Sequence, residues 1–150
     1  MPSPALLAVT LLLVGLAVGC GEGGEKRLSS QEFRRQGNAV CADVRRRVER
    51  LGKPSSLEDL GRIGQRVLRV EQDGIDRLRA LRPPKPAEER FDALIATLRE
   101  QHRSNRALVR AVDDRDLGGV QEHGQRSTRL LTRVRGQART LGLEVCAAVR

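Results

Sequence analysis

The chain has 150 residues, a length suited to one domain, and its 28 basic and 19 acidic side chains give a net charge of +9. Phe33 and Phe91 are its only aromatic residues. Sites that stack bases, sugars or flat cofactors usually need more rings than this. The composition therefore argues against nucleic-acid binding, and no cofactor is expected.

The N-terminal residues predict an exported protein. Residues 1–19 carry no charged side chain, and residues 5–18 form an apolar run of fourteen residues. That length suits the hydrophobic region of a signal peptide, whereas a membrane-spanning helix needs about twenty residues. Residues 1–19 are therefore predicted to be a signal peptide.

The run ends in Leu16-Ala17-Val18-Gly19-Cys20, which resembles the lipobox of bacterial lipoprotein precursors. The resemblance implies cleavage before Cys20, a diacylglyceryl group on its thiol, and a location on the extracytoplasmic face of the cell membrane. Two acyl chains on one residue suffice for stable anchoring. A plain secretory peptide and an uncleaved anchor helix remain alternatives, because a lipobox usually has Leu where Ala17 stands and no basic residue precedes the run.

Residues 20–29 are predicted to form a lipidated, flexible tether, since the segment after Cys20 reads Gly-Glu-Gly-Gly-Glu and has no apolar content. The domain itself is assigned to residues 30–150. Its first helical segment starts at Ser29, with Glu32 at the spacing of a capping box, and ends at Gly52. A second capping box opens the next segment at Ser55 and Glu58.

The second segment stops at residues 83–84, a pair of prolines, and the third begins near Pro86. Residues 113–116 form a turn with a candidate N-cap, and Gly142 closes the fourth segment. Four segments of roughly 20–27 residues with short loops predict an all-α, up-down-up-down four-helix bundle. The predicted core positions are Phe33, Val40, Cys41, Val44, Val48, Leu51, Leu57, Leu60, Ile63, Val67, Ile75, Leu78, Leu81, Phe91, Leu94, Ile95, Leu98, Leu108, Val112, Leu117, Val120, Leu131, Val134, Ala138 and Leu141.

Two further cysteines are predicted to form a disulfide. Cys41 lies on the apolar stripe of the first segment, and Cys146 follows the last. In an antiparallel bundle these two positions share one end, so the thiols can meet. With Cys20 acylated, an exported protein is left with an even pair, which favours a disulfide. Two inert buried thiols are the alternative.

Three short motifs carry a further resemblance: Asn38-Ala39-Val40-Cys41, Leu81-Arg82-Pro83-Pro84, and Leu141-Gly142-Leu143 before Cys146. Together they resemble helical lipoproteins of actinobacteria. The resemblance covers most of the mature domain and implies the helical bundle and the disulfide between its ends. It implies no activity.

His102 and His123 are the only histidines, on two segments that form a hairpin. Their imidazoles can face each other, with Asn105 and Ser127 nearby, which would suit a metal ion or a small polar ligand. A tight transition-metal site generally needs three or four ligands. Glu122 is the nearest third, but adjacent helix positions face different ways. No metal is assigned, and a polar layer or two solvent-facing histidines is the alternative.

Other catalytic signatures are missing. The sequence has no Cys-x-x-Cys-His motif for haem and no Gly-x-Ser-x-Gly elbow for a nucleophile. The acidic pairs at 88–89 and 113–116 stand at helix ends, where capping accounts for them. No catalytic residue is predicted, and we do not expect an enzyme.

The arginines fall into three clusters. An anionic leaflet beside the anchor, an anionic wall polymer or an acidic protein could each bind these positive charges. The alternative is that the arginines simply lie on solvated helix faces and bind no partner. We therefore expect a non-enzymatic interaction or structural module at the cell envelope. An extracytoplasmic sensor that binds a ligand or metal is the alternative function. The clusters are Arg34-Arg35, Arg45-Arg46-Arg47-Arg50, and Arg126, Arg129, Arg133, Arg135 and Arg139.

Overall fold

The computed structural model describes residues 26–148. Helices account for most of that part of the chain, and it contains no strand. The elements are α1 (Ser30–Glu49), α2 (Leu57–Arg79), a 3₁₀ turn (Lys85–Ala87), α3 (Glu88–Asp113), α4 (Leu117–Thr140) and α5 (Glu144–Ala147). The predicted all-α bundle is confirmed, while α5 was not predicted.

Two helices begin where the sequence places their caps. At the start of α1, the Ser29 hydroxyl accepts a hydrogen bond from the Glu32 amide at 3.2 Å, and the Glu32 carboxylate accepts one from the Ser29 amide at 2.9 Å. At the start of α4, the Asp116 carboxylate accepts from the Gly119 amide at 3.0 Å. In each case a side chain satisfies an amide that the first turn of a helix leaves unpaired.

The cap of α2 lies one residue later than predicted. Ser56, not Ser55, accepts from the backbone amide three residues on, that of Asp59, at 3.1 Å. Ser55 instead donates to the Asp59 carboxylate through both its amide, at 3.1 Å, and its hydroxyl, at 2.9 Å. The predicted partner Glu58 is not part of this cap. Either of the two adjacent serines could cap the helix. Asp59 decides between them, because its amide donates to Ser56 while its carboxylate accepts from Ser55.

Each long helix packs against the next one in the chain. Two glycines allow a close approach: a Cβ on Gly74 would lie 2.5 Å from a Val44 methyl of α1, and a Cβ on Gly64 would lie 2.7 Å from Val109 of α3. Within residues 26–148, the backbones of α1 and α4 do not come into contact. The fourth side of a closed up-down-up-down square is therefore not formed by direct packing.

At one end of the bundle, α5 lies between α1 and α4 and contacts both. Gly142 has a φ of 70° and ends α4 in a Schellman motif, with the Leu143 amide donating to the Ala138 carbonyl at 2.9 Å. This turn directs Leu143, which is fully buried, onto Gly37 of α1. Asn38 supports the same joint, since its carbonyl oxygen accepts from the Val145 amide at 2.9 Å.

A disulfide joins Cys41 of α1 to Cys146 of α5. Their Cα atoms lie 5.1 Å apart and 105 residues separate them in sequence. Both sulfurs belong to the main core cluster, which also contains an edge-to-face pair of Phe33 and Phe91 with ring centroids 5.0 Å apart. The predicted pairing is confirmed, and α1 is thereby attached covalently to the C-terminal end of the bundle.

Three predicted core positions are wrong. The exposed fractions are 45% for Leu57, 39% for Leu60 and 76% for Leu117. All three lie in the first turn of their helix, where the side chains extend past the end of the neighbouring helix. Conversely, the prediction missed seven buried apolar residues: Leu68, Val70, Val109, Ala111, Leu130, Leu143 and Ala147. On the long helices the reason is that packing on two sides buries a wider face than one stripe.

Residues 27–29, which the sequence assigned to the tether, contact the connection between α2 and α3. The Leu28 amide donates to the Arg82 carbonyl at 2.9 Å, and Leu28 packs against the core. The Arg27 guanidinium donates to the Pro83 carbonyl at 3.1 Å and pairs with Glu88 at 2.8 Å. The chain thus joins the bundle at the same end as the disulfide.

We expect the disulfide to supply a large share of the stability. Closing a loop of 105 residues lowers the entropy of the unfolded chain by an amount worth about 4–5 kcal/mol. Cys41→Ala with Cys146→Ala should therefore lower the free energy of unfolding by about that amount in urea titrations. A loss no larger than that of Ala39→Gly, a change at an exposed site on the same helix, would contradict this.

Candidate functional site

A groove of about 810 Å³ runs between α1 and α4. Because α1 and α4 do not pack directly, their facing sides form its walls, and α2 and α3 form its floor. Cys41 and Cys146 lie at one end of it. Its volume is within the range of about 300–1,000 Å³ that is usual for small-molecule sites.

The walls and floor of the groove are mainly aliphatic, and none of the lining residues is aromatic. Some of these side chains, such as Leu94 and Val134, are fully buried, whereas Leu131 and Val44 are half-buried. The groove therefore reaches into the core. The ten aliphatic lining residues are Val40, Val44, Val48, Val67, Ile75, Leu78, Leu94, Leu98, Leu131 and Val134.

A cluster of polar side chains lines the groove away from the disulfide. Glu71 of α2 is its centre: one carboxylate oxygen lies 3.2 Å from His102 Nδ1, and the other accepts from Asn105 Nδ2 at 2.8 Å. Ser127 of α4 donates to Asn105 Oδ1 at 2.7 Å and lies 3.1 Å from the Ser104 hydroxyl. Three helices thus contribute to one hydrogen-bonded network.

The structure pairs His102 with Glu71, not with His123 as the sequence suggested. His123 joins the network through its backbone, since its carbonyl accepts from the Ser104 hydroxyl at 3.3 Å. The neighbourhood of Asn105 and Ser127 is found as expected. Across residues 26–148, no group of three or more His, Cys, Asp or Glu side chains is placed to hold a metal ion.

Glu71 is the residue that the sequence analysis missed. It falls on the apolar stripe of α2 between Val67 and Ile75, four residues from each. A carboxylate at such a position usually has a buried partner, because an unpaired buried charge is costly. The position of Glu71 on the apolar stripe therefore indicated a buried polar interaction. Its partners, His102 and Asn105, lie on another helix and could not be identified from residue spacing.

The His102–Glu71 pair fixes which ring nitrogen is available to a ligand. An ionised carboxylate only accepts hydrogen bonds, so in the neutral ring Nδ1 carries the hydrogen and Nε2 is an acceptor. The side chain of His102 is 12% exposed and lines the groove. The site can therefore accept a hydrogen bond from a hydroxyl or N–H group inside the groove.

The arginine cluster of α1 is largely neutralised by neighbouring acids. Arg47 pairs with Asp73 of α2, and Arg77 of α2 pairs with Asp43 of α1 at 2.7 Å. The hydrogen bond from Arg77 holds the pKa of Asp43 below its usual value, and the same bond raises the pKa of Arg77. This network fixes α1 on α2 and leaves little free positive charge there.

The cluster of α4 is more exposed. Arg126 pairs with Glu100 of α3 at 2.9 Å, and that bond lowers the pKa of Glu100. Arg129 and Arg139 are exposed and form no ion pair among the described residues. Near the disulfide end, Arg34 and Arg35 of α1 are exposed as well. Exposed arginines without an ion pair among the described residues thus occur on α4 and in the second turn of α1, and also on other helices, such as Arg66 and Arg69 of α2.

The predicted lipidation site, Cys20, lies outside the described residues. None of the helices in residues 26–148 has the length and apolar content needed to cross a membrane. Comparison with protein-family models, with curated proteins and with solved structures finds no match to this chain.

Proposed function

We propose that the protein is a lipid-anchored, non-enzymatic binding module on the extracytoplasmic face of the cell membrane. The observation that carries the proposal is the Cys41–Cys146 disulfide in a chain whose apolar N-terminal run ends at Cys20. Structural disulfides persist in oxidising compartments, and the lipobox-like run is an export signal. Both features favour a domain held outside the cytoplasm.

The position of the chain entry supports a domain that stands close to the bilayer. Residues 27–29 join the bundle at the end that carries the disulfide, so only residues 20–26 separate the proposed anchor from the fold. Seven residues span at most about 25 Å when fully extended. That end of the bundle is therefore held near the lipid surface.

Basic side chains at the same end suit an anionic surface. Arg35 lies in the second turn of α1 and Arg139 in the last turn of α4, and both are exposed. Glu32 lies one turn before Arg35, and hydrogen bonds from Ser29 together with the charge of Arg35 lower its pKa. Basic residues near an anionic leaflet contribute about 1 kcal/mol each. We propose that this end of the bundle contacts the leaflet around the anchor.

The anchor is tested by metabolic labelling. Cells that express the protein and receive a radioactive or alkyne fatty acid should yield a labelled product that begins at Cys20. Cys20→Ser should abolish the label and release the protein from the membrane fraction, since Cys20 is the proposed acceptor. Cys41→Ser, which removes a thiol inside the domain, should keep the label. An unlabelled wild-type product would refute the anchor.

The surface contact is tested with the chain from residue 20 on, carrying Cys20→Ser. It should bind anionic vesicles, and binding should weaken with salt. Arg35→Gln with Arg139→Gln should lower the affinity by roughly thirtyfold, the equivalent of about 2 kcal/mol. The matched pair Arg66→Gln with Arg69→Gln, exposed on α2, should cost much less. Equal losses in both pairs would contradict a surface located at the anchor end.

A second candidate function, ligand binding within the bundle, is favoured by the groove between α1 and α4. The Glu71–His102 pair offers polar recognition, and its two ligating groups favour an organic ligand over a transition metal. Protein isolated from cells should then retain a small molecule, visible as extra mass in native but not in denaturing mass spectra. His102→Ala should reduce the retained fraction. A stoichiometric metal ion that depends on His102 and His123 would instead support the metal-sensor alternative.

A further inference from the structure

We propose that the groove between α1 and α4 binds an amphiphile that has one alkyl chain and an uncharged, hydrogen-bonding head group, such as a monoacylglycerol. The inference rests on the second candidate function, ligand binding, and names its ligand class and orientation. The alkyl chain of the ligand lies along the aliphatic floor of the groove toward Cys41 and Cys146. The head group lies at Glu71 and His102.

The lining determines the chemistry of the body of the ligand. Ten aliphatic side chains line the groove and no Phe, Tyr or Trp does, so it offers little stacking surface for a planar aromatic ligand. Burial of a flexible alkyl chain gains about 0.8 kcal/mol per CH₂ group. An alkyl chain is therefore the ligand body that the lining matches.

The length of the groove also suits a chain. Along α2 the lining residues extend from Val67 to Leu78. The part on the disulfide side of the head group, from Glu71 to Leu78, is roughly 10 Å long at about 1.5 Å per residue. Along α1 the lining residues extend from Val40 to Glu49. The site is thus elongated in the direction of the helices, as a single extended alkyl chain requires.

The charges at the polar end determine the head group. The lining there has one cation, Arg45, and two carboxylates, Glu49 and Glu71. Arg45 already lies 3.8 Å from Glu49, and Glu71 is hydrogen-bonded to His102. The side chains of Arg45, Glu49 and Glu71 alone give this end of the groove one more carboxylate than guanidinium group. An anionic head such as a fatty-acid carboxylate is therefore disfavoured.

Neutral polar groups surround the same end. Gln101 and Thr128 line the groove beside His102, and Nε2 of His102 can accept a hydrogen bond. A head group with hydroxyls can donate to that nitrogen and also accept from the amide of Gln101. Glycerol esters have this combination of donors and acceptors without a charge.

The test uses the chain from residue 20 on, carrying Cys20→Ser, with the disulfide intact. Monolaurin delivered from cyclodextrin should bind saturably with one molecule per chain. Leu131→Trp places a large side chain in the groove and should lower the affinity at least about tenfold. Arg129→Trp adds the same ring to the exposed face of α4 opposite the lining residues and should leave the affinity unchanged.

Val48→Trp on the opposite wall serves as a second blocking variant should Leu131→Trp unfold, as judged by circular dichroism. Equal binding by wild type and a folded blocking variant would overturn the assignment to the groove, as would an equal loss in Arg129→Trp. Absence of saturable monolaurin binding would also overturn it. If native mass spectra still show a different retained molecule, ligand binding stands and only the ligand class fails.

Laurate tests the head group separately, because it has the same chain with a carboxylate. Wild type should bind laurate roughly tenfold more weakly than monolaurin. Glu71→Gln keeps hydrogen-bonding groups toward His102 and Asn105 but removes the negative charge, so it should narrow that difference. Laurate binding as tight as monolaurin binding in wild type would overturn the uncharged head group.

Discussion

The covalent joint between α1 and the C-terminal end of the chain is the constraint on which the rest of the structure depends. α1 packs on α2 but, within residues 26–148, makes no backbone contact with α4. On that side it is joined to α5 and the turn before it, through the disulfide, Asn38 and Leu143. The bundle is therefore closed at one end and open along one side. The closed end receives the chain from the N-terminal segment, and the open side is the groove.

Local signals made much of the fold predictable. Capping residues and the Schellman glycine each act within a few residues, so the starts of α1 and α4 and the end of α4 could be placed from spacing alone. Features set by neighbouring helices could not. Leu57 and Leu117 match the helical period yet extend past the packed core, and Leu130 is buried only because α4 lies on α3. Periodicity identifies an apolar face, but not how far a neighbour covers it.

The site was less predictable than the fold for the same reason. The disulfide followed from counting thiols and from an antiparallel path, both available in the sequence. The groove depends on the separation of α1 from α4, and at one end of the bundle the short α5 lies between these two helices. Glu71 stood out only as a charge on an apolar stripe. Its bonds to His102 and Asn105 required the packing of α2 on α3.

An open apolar side is costly for a small domain, and the disulfide offsets that cost. Val44 and Leu131 remain half-buried where a fourth helix contact would have covered them, so the bundle forgoes part of its hydrophobic stabilisation. A domain of this size has a total stability on the order of 5–15 kcal/mol, and a crosslink over a long loop supplies about 4–5 kcal/mol of such a total. The crosslink acts on the unfolded chain and needs no packing between α1 and α4. It can therefore keep the domain folded while the side that carries the groove stays open.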